Sequence, residues 1–574
     1  MNIIDIAIII TYLSLIFLIG IYTRNYIKDF SDFMIAGRKV NLALSVVTML
    51  GTELGLITVM YTSQTGVNGL FASFHIGLAA FFVTMFISLS GFVIVKLRAL
   101  EVKSIPEYYN LRFGKRVRVL GAIMLCLGGI LNMGLFLKVG ALFIQNIFGV
   151  EAGGITLMLI MLILLVLVLV YTVSGGMVSV IVTDYVQYVV LSIGLMISIY
   201  YSISYFGWNN LFSSLESLDK INSYDEIYNP IKKMGPAYMS WQIVLGFVSA
   251  VIWPTAITRA LSVRSVSIVK KQYFWSSFSF LIRFIVPCFL GICSFIYFNG
   301  NINNDNSLIL MPMFLSEILP HGLLGLVVAG MLAAFMSTHD SYLLCWSTII
   351  TNDIIEPLTK KEMSSALKIK ITRFIIILLG VYIYYWGMFY EGSDAIWDYL
   401  GITGAIYFTG AISVIVFGLY WKKASSTGAL LSLIGGLSSI VGLEPIRNYL
   451  QINVENPAII GLSSLGFSIA LMFFGSLIWP DKESKFHINN VKNIKTENLV
   501  STYLIFEILV VFTLLVTYLF FGPQSSWFRA ILSWKLIWQI VLISVIIIFF
   551  IMFLKFSVSG YKDLKEMLGF DNDK

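Results

Sequence analysis

The chain has 574 residues, 58% hydrophobic and 12% charged, with formal net charge +7 and mean hydropathy +0.87. A soluble domain carries about 25% charged residues, so this composition leaves too little polar surface to face water. It describes a polytopic membrane protein and excludes soluble enzymes, disordered chains and secreted disulfide scaffolds. The four cysteines (Cys126, Cys288, Cys293, Cys345) fall in apolar runs and read as core thiols. The four histidines (His75, His321, His339, His487) are scattered, with no HExxH or CxxC pair, which speaks against a metal catalyst or a membrane-embedded enzyme.

A helix that crosses the hydrocarbon core needs about 20 apolar residues. In chain order such runs fall at 3–23, 41–69, 72–98, 120–148, 153–173, 176–204, 238–262, 272–298, 320–353, 368–389, 394–421, 426–445, 457–479, 500–521 and 535–555, fifteen in all. The first reads as a retained span, because no Lys or Arg precedes it and no A-x-A site follows. With the N-terminus outside, thirty of the 38 Lys and Arg residues fall on inner segments and six on outer ones, while Lys138 and Arg283 lie within spans. The positive-inside rule then predicts an N-out, C-in chain with an odd number of spans. The basic residues are topology signals, and no nucleic acid or soluble protein partner is implied. The outer loop 205–237 has room for a short helix, and the tail after about 556 has none for a domain.

Two spans carry interruptions. The second reads Thr48-Met49-Leu50-Gly51-Thr52-Glu53-Leu54-Gly55-Leu56, with two glycines bracketing a glutamate, and the seventh carries Gly246 and then Ile252-Trp253-Pro254. Proline removes an intrahelical hydrogen bond, and transporters bind solute and ions where broken helices free their backbone groups. The breaks fall at similar depth in two five-helix blocks, 41–204 and 238–421. A five-plus-five inverted repeat would explain this, although glycine and proline are common in membrane helices for other reasons.

Four motifs carry a resemblance: Ser174-Gly175-Gly176-Met177-Val178-Ser179-Val180 with Thr183-Asp184 and Gln187; Met331-Leu332-Ala333-Ala334-Phe335-Met336-Ser337-Thr338-His339-Asp340-Ser341; Trp253-Pro254 with Arg259; and Phe417-Gly418-Leu419-Tyr420-Trp421-Lys422-Lys423 running to Gly428-Ala429. Together, over about residues 3–480, they resemble the sodium:solute symporter family of proline, pantothenate, monocarboxylate, iodide, sialic acid and sugar cotransporters. The resemblance implies an all-α, LeuT-like fold. It divides the chain into a leading helix and inner loop (1–40), a first repeat (41–204), an outer loop (205–237), a second repeat (238–421), two accessory helices (422–480) and two extra C-terminal helices with a short tail (481–574).

Positions 334, 337, 338 and 341 form one helical stripe of Ala, Ser, Thr and Ser. Oxygens of this kind suit a hard cation, although small and hydroxyl residues also help helices pack. The resemblance places the main sodium site on the carbonyls of Gly51, Leu54 and Ala334 and the hydroxyls of Ser337 and Thr338. It places a possible second sodium at Asp184, Ser337, Asp340 and Ser341; the alternative there is a gate contact of Asp184 with Arg259. His339 lies on another face of the helix. Ionisable residues inside spans are functional by default, so Glu53, Lys138 and Arg283, with Thr52 and Ser249, are candidates for solute binding, and Trp253, Pro254 and Arg259 for gating. Two bases beside one acid leave a charge that an anionic solute could neutralise; an internal Glu53–Lys138 or Glu53–Arg283 pair is the alternative. The polar pair that sugar carriers hold in the first broken helix is replaced by Ile57 and Thr58, and their sixth core helix set by Gly246, Ser249 and Ala250.

The expected function is a sodium-coupled symporter of the cell membrane, not an enzyme. It would import a small carboxylate (a monocarboxylate, a sialic-acid-like sugar acid, pantothenate or an amino acid such as proline) by alternating access. The alternatives are a proton-coupled or sugar/polyol transporter of the same fold, or a non-transporting membrane sensor.

Overall fold

The computed structural model describes residues 1–23, 26–150, 154–218, 223–301, 307–359, 362–390, 395–452, 454, 456–481 and 533–569. The expected span 500–521, together with Arg24, Lys220, Lys360, Lys361, the lysines of 482–495, His487, Arg529 and Lys574, lies outside them. Among the described residues the regular structure is helical, apart from one isolated bridge that joins Val40 to Val263.

The main helices are α1 (Ile3–Thr23), α2 (Leu42–Glu53), α3 (Leu56–Gly69), α4 (Phe74–Ser90), α5 (Lys115–Met133), α6 (Phe136–Ile147), α7 (Gly154–Phe206), α8 (Pro236–Ile252), α9 (Pro254–Ser262), α10 (Val266–Tyr297), α11 (Leu323–Ile349), α12 (Ser365–Phe389), α13 (Ile396–Tyr420), α14 (Ser426–Gly435), α15 (Ala458–Ile478) and α16 (Trp534–Leu568). A helix satisfies its own backbone, which is why apolar runs in a water-free interior take this form. Among the described residues ten helices are long and apolar enough to cross a membrane, or eleven if the bent pair α8–α9 is one span. Helices lie over each of the expected spans within the described residues.

The interruptions have local causes. Leu54 and Gly55 leave the helical region between α2 and α3. Pro254 opens α9 after an extended Trp253, bending the α8–α9 pair by 40°. The expected span 72–98 stops at Ser90, because Gly91 is left-handed at φ 68°. The runs 153–173 and 176–204 join in α7, bent at Gly176 with φ 52° and ψ −163°. The described part of the loop 205–237 holds three short helices, Trp208–Glu216, Tyr224–Tyr228 and Pro230–Met234. Helix α16 continues well past the expected end at 555, so most of the predicted tail is helix.

Burial sorts the helices into layers. The spanning parts of α10, α11 and α13 are 89% buried, against 28% for α1 and α16. The inner group therefore surrounds the candidate site while α1, α15 and α16 face outward. All four cysteines are buried and free. Without a hydrophobic driving force between helices in lipid, close backbone approach holds them together. The tightest contact against backbone among the described glycines is reciprocal: a Cβ on Gly66 of α3 would stand 2.2 Å from the Cys288 carbonyl of α10, and one on Gly291 of α10 would stand 2.1 Å from the Ser63 carbonyl of α3.

This contact yields a prediction. Gly291→Ala should lower stability by about 1–3 kcal/mol through overpacking, read as a fall in the unfolding temperature of purified protein. Gly246→Ala, whose nearest neighbour would lie 3.9 Å away, should leave that temperature nearly unchanged.

Candidate functional site

Ending a helix in the interior strands its last carbonyls. At the end of α2 three consecutive carbonyls are met by side-chain hydroxyls. Ser337 Oγ donates to Gly51 O at 2.8 Å, Thr338 Oγ1 to Thr52 O at 3.1 Å, and Thr58 Oγ1 to Glu53 O at 2.9 Å. Ser337 and Thr338 also share Ala334 O, each at 3.1 Å. The break is pressed against α11: a Cβ on Gly55 would lie 1.8 Å from Thr338 Oγ1, so only glycine fits there. Gly51, Ala334, Ser337 and Thr338 are thus brought together as expected. The carbonyl that meets Thr338 is that of Thr52, which motif matching did not name; Leu54 closes α2 with its own N–H on Leu50 O at 2.8 Å. This oxygen-rich set fits a hard cation: the two hydroxyls donate their protons to the carbonyls, which leaves hydroxyl and carbonyl lone pairs that would hold an ion.

One turn back along α2, at Thr48, Arg259 is 1% exposed and occupies a second cluster. Its Nε donates to Thr48 O and Thr48 Oγ1, both at 3.1 Å, and Nη1 to Thr255 O at 3.2 Å. Its Nη2 reaches Asp184 Oδ2 at 3.1 Å and Ser341 Oγ at 2.7 Å. Asp184 Oδ2 also accepts from the Thr48 hydroxyl. Ser341 Oγ donates to Asp340 Oδ1 at 3.1 Å and lies 3.1 Å from Thr52 Oγ1, and Tyr171 donates to Asp340 Oδ2 at 2.9 Å. Of the residues considered for a second sodium, Asp184, Asp340 and Ser341 therefore form one cluster with the Asp184–Arg259 gate contact, while Ser337 bonds to Gly51 O and Ala334 O. The cluster holds two carboxylates and one guanidinium, and Asp184 Oδ1 has no hydrogen-bond partner among the described residues.

On the other side of the break lies a cavity of about 80 Å³. Thr52, Glu53, Thr58, Ser249, Arg283 and Thr338 supply its polar wall, and Tyr61, Phe136, Trp253, Phe280, Tyr342, Trp397 and Phe408 its aromatic one. Glu53 Oε2 accepts from Arg283 Nη1 at 2.5 Å, and Glu53 Oε1 from Thr255 Oγ1 at 3.1 Å. Arg283 Nη2 donates to the Tyr61 hydroxyl at 2.9 Å, with the rings of Phe280 and Phe284 alongside. The internal Glu53–Arg283 pair is present. Lys138 is not among the lining residues; its Nζ donates to Tyr390 O at 3.1 Å. The spare positive charge expected from Lys138 is therefore absent from the cavity.

Trp253, at the α8–α9 break, donates from Nε1 to the Tyr342 hydroxyl at 2.9 Å and meets Phe408 edge-on. Trp397 stacks on Tyr61 with ring centroids 4.9 Å apart and donates to Gln242 Oε1 at 2.9 Å. Sequence reasoning gave no role to Thr48, Thr255, Tyr61, Tyr342 or Trp397. Thr255 offered a signal, being the first residue after the Trp253-Pro254 break.

The model of the sodium:solute symporter family matches residues 8–436. The sodium/sialic acid symporter of Proteus mirabilis is 24% identical over 506 residues, covering 84% of this chain and 96% of that one. The sodium/glucose cotransporter of Vibrio parahaemolyticus is 22% identical over 478 residues, 76% of this chain and 84% of that one. Sodium/proline symporter 2 of Staphylococcus saprophyticus is 23% identical over 478 residues, 78% and 87%. A solved substrate-bound, outward-open Na⁺-coupled sialic acid symporter shares the fold with a TM-score of 0.69, at 20% identity over 84% of this chain and all of that one. These relatives are transporters and not enzymes. With the family model running from α1 through both broken helices to α14, the chain belongs to the sodium:solute symporter family, a multi-pass membrane transporter with sodium as its coupling ion.

Proposed function

We propose that this protein imports a small, carboxylate-bearing solute that is neutral overall, such as an amino-acid zwitterion, together with sodium across the cell membrane. The observation that carries this reading is the sharing of one helix break by both sites. The carbonyls of Gly51 and Thr52 face the hydroxyls of Ser337 and Thr338, while the side chains of Thr52, Glu53 and Thr338 line the cavity. A sodium ion held there fixes the break in the form that binds solute, which is coupling by linkage.

The charge balance supports the solute class. Glu53 and Arg283 cancel each other, so a lone anion displacing Glu53 would leave that acid unpaired in a poorly hydrated site. A zwitterion replaces both partners: its carboxylate takes the Arg283 fork and its ammonium takes Glu53. A second reading, a neutral sugar or polyol, draws support from the aromatic wall and from the glucose and inositol transporters among the relatives. The rest of the proposal follows the family resemblance: paired breaks at Leu54–Gly55 and Trp253 within an inverted repeat of 41–204 and 238–421, fifteen spans, and an N-out, C-in orientation. The surplus carboxylate of the Arg259 cluster supports a second, transient cation at Asp184, Asp340 and Ser341, with Arg259, Trp253 and Pro254 gating the inner path.

Three tests follow, on purified full-length protein. Ligands raise apparent stability by mass action, so a thermal-shift screen in sodium and in potassium should find amino acids that stabilise only in sodium; a sugar that does so alone would replace the zwitterion reading. Ser337→Ala with Thr338→Ala removes two oxygens from the ion, each worth about 1.5–3 kcal/mol as a bond to a charge. The sodium concentration for half-maximal uptake should rise by at least about tenfold, and an unchanged value would eliminate this ion site. Arg283→Gln should abolish stabilisation by carboxylates and Glu53→Gln that by amines, while equal loss for sugars would assign the pair a structural role.

A further inference from the structure

Helix α16 lies beyond the residues matched by the family model, yet its last turns are bonded to the start of the broken helix α2. Asn41 stands at the N-cap position of α2 but makes no side-chain cap bond. Its Nδ2 donates instead to Glu566 Oε2 at 2.7 Å. The cap comes from Asp563, whose Oδ2 accepts the N–H groups of Ala43 and Leu44 at 2.8 and 3.1 Å. Glu566 Oε1 also takes Arg264 Nη1 at 2.6 Å. Arg264 follows α9, and the segment before α2 is stitched to it by Val40 N to Ser262 O at 3.3 Å and Arg264 N to Val40 O at 3.1 Å. The inner ends of both broken helices thus meet, and the end of α16 clasps the junction.

The clasp is anchored along α16. Tyr185 and Tyr188 of α7 donate to Ser557 O and Met552 O at 2.7 and 3.2 Å. A Cβ on Gly560 would stand 3.0 Å from the Tyr185 ring and 3.5 Å from Val47 of α2. Helix α2 has 12 residues and is about 18 Å long. Its dipole favours an anion at its start and a cation at its end, where Asp563 and the ion-facing carbonyls respectively lie.

We propose that Asp563 and Glu566 are positioning residues for sodium binding. They hold the inner end of α2 so that its last carbonyls face α11, and they let go when the inner side opens. The inference rests on the ion site proposed above, and its test separates the two. Full-length Asp563→Ala and Asp563→Glu are compared by sodium titration of thermal stability and by maleimide labelling at Ser45→Cys, a fully buried position in the first turn of α2, against a background of buried native thiols. Loss of a cap of this kind is worth about three- to tenfold in an equilibrium. Asp563→Ala, which removes the accepting oxygen, should raise the sodium midpoint by about that factor and speed labelling in the absence of sodium, and Asp563→Glu should restore both. A sodium midpoint within about twofold of the parent with unchanged labelling would reduce the contact to a structural cap and overturn the proposal. Should Asp563→Ala not fold, Glu566→Gln and Arg264→Gln remove the half-exposed pair, and unchanged labelling in both overturns it equally. If Ser337→Ala with Thr338→Ala leaves the sodium response intact, the ion site fails while the labelling arm still reports on the clasp.

Discussion

A helix cannot stop inside a membrane without giving its last carbonyls another partner, and the rest of this molecule is arranged around one such stop. Gly51, Thr52 and Glu53 end α2 with their carbonyls freed, and α11 meets the first two with hydroxyls from adjacent positions, Ser337 and Thr338. Those hydroxyls satisfy the backbone when no ion is bound and have the chemistry to ligate one that arrives. The same freed carbonyls that make the break costly give it the chemistry to hold a cation. Gly55 is what brings the two helices close enough, since a side chain there would collide with Thr338.

From that break the polar interior divides in two. Thr52 belongs to both halves: its carbonyl meets Thr338, its hydroxyl touches Ser341 and, through it, the Arg259 cluster, and its side chain also lines the cavity. The cavity's acid and base are paired across α2 and α10, the inner cluster's across α7 and α9. Each ion pair therefore ties a broken helix to a neighbour, one on either side of the freed carbonyls. Burying such pairs is expensive unless their remaining atoms are bonded, which accounts for Thr255 and Tyr61 beside the first and Thr48 and Ser341 beside the second.

The parts of this site legible in the sequence are those fixed by local rules. Glycines around Glu53 and the Trp253-Pro254 step marked both breaks, and the period of α11 put Ala334, Ser337, Thr338 and Ser341 on one stripe. What escaped was set by tertiary packing. Lys138 is as polar as Arg283 and also lies within a span, but the gap between Met133 and Phe136 separates α5 from α6, and the chain delivers its amine to Tyr390. That Thr338 donates to the Thr52 carbonyl depends on how the chain turns after Glu53. The cap of α2 comes from a residue about as far along the chain as sequence separation permits, so no window around Asn41 could have revealed it.

The bend of α7 at Gly176 has a consequence for how freely this chain can change length. Tyr171 before the bend and Asp184 after it both enter the Arg259 cluster, through Asp340 and Arg259 respectively. The stretch between them acts as a ruler with both ends engaged. One inserted or deleted residue in the helical part beyond Gly176 would turn Asp184 by about 100° around its axis, away from Arg259, while Tyr171 stayed where it is. Substitutions along the outer face of this stretch are open to drift; its number of residues is not.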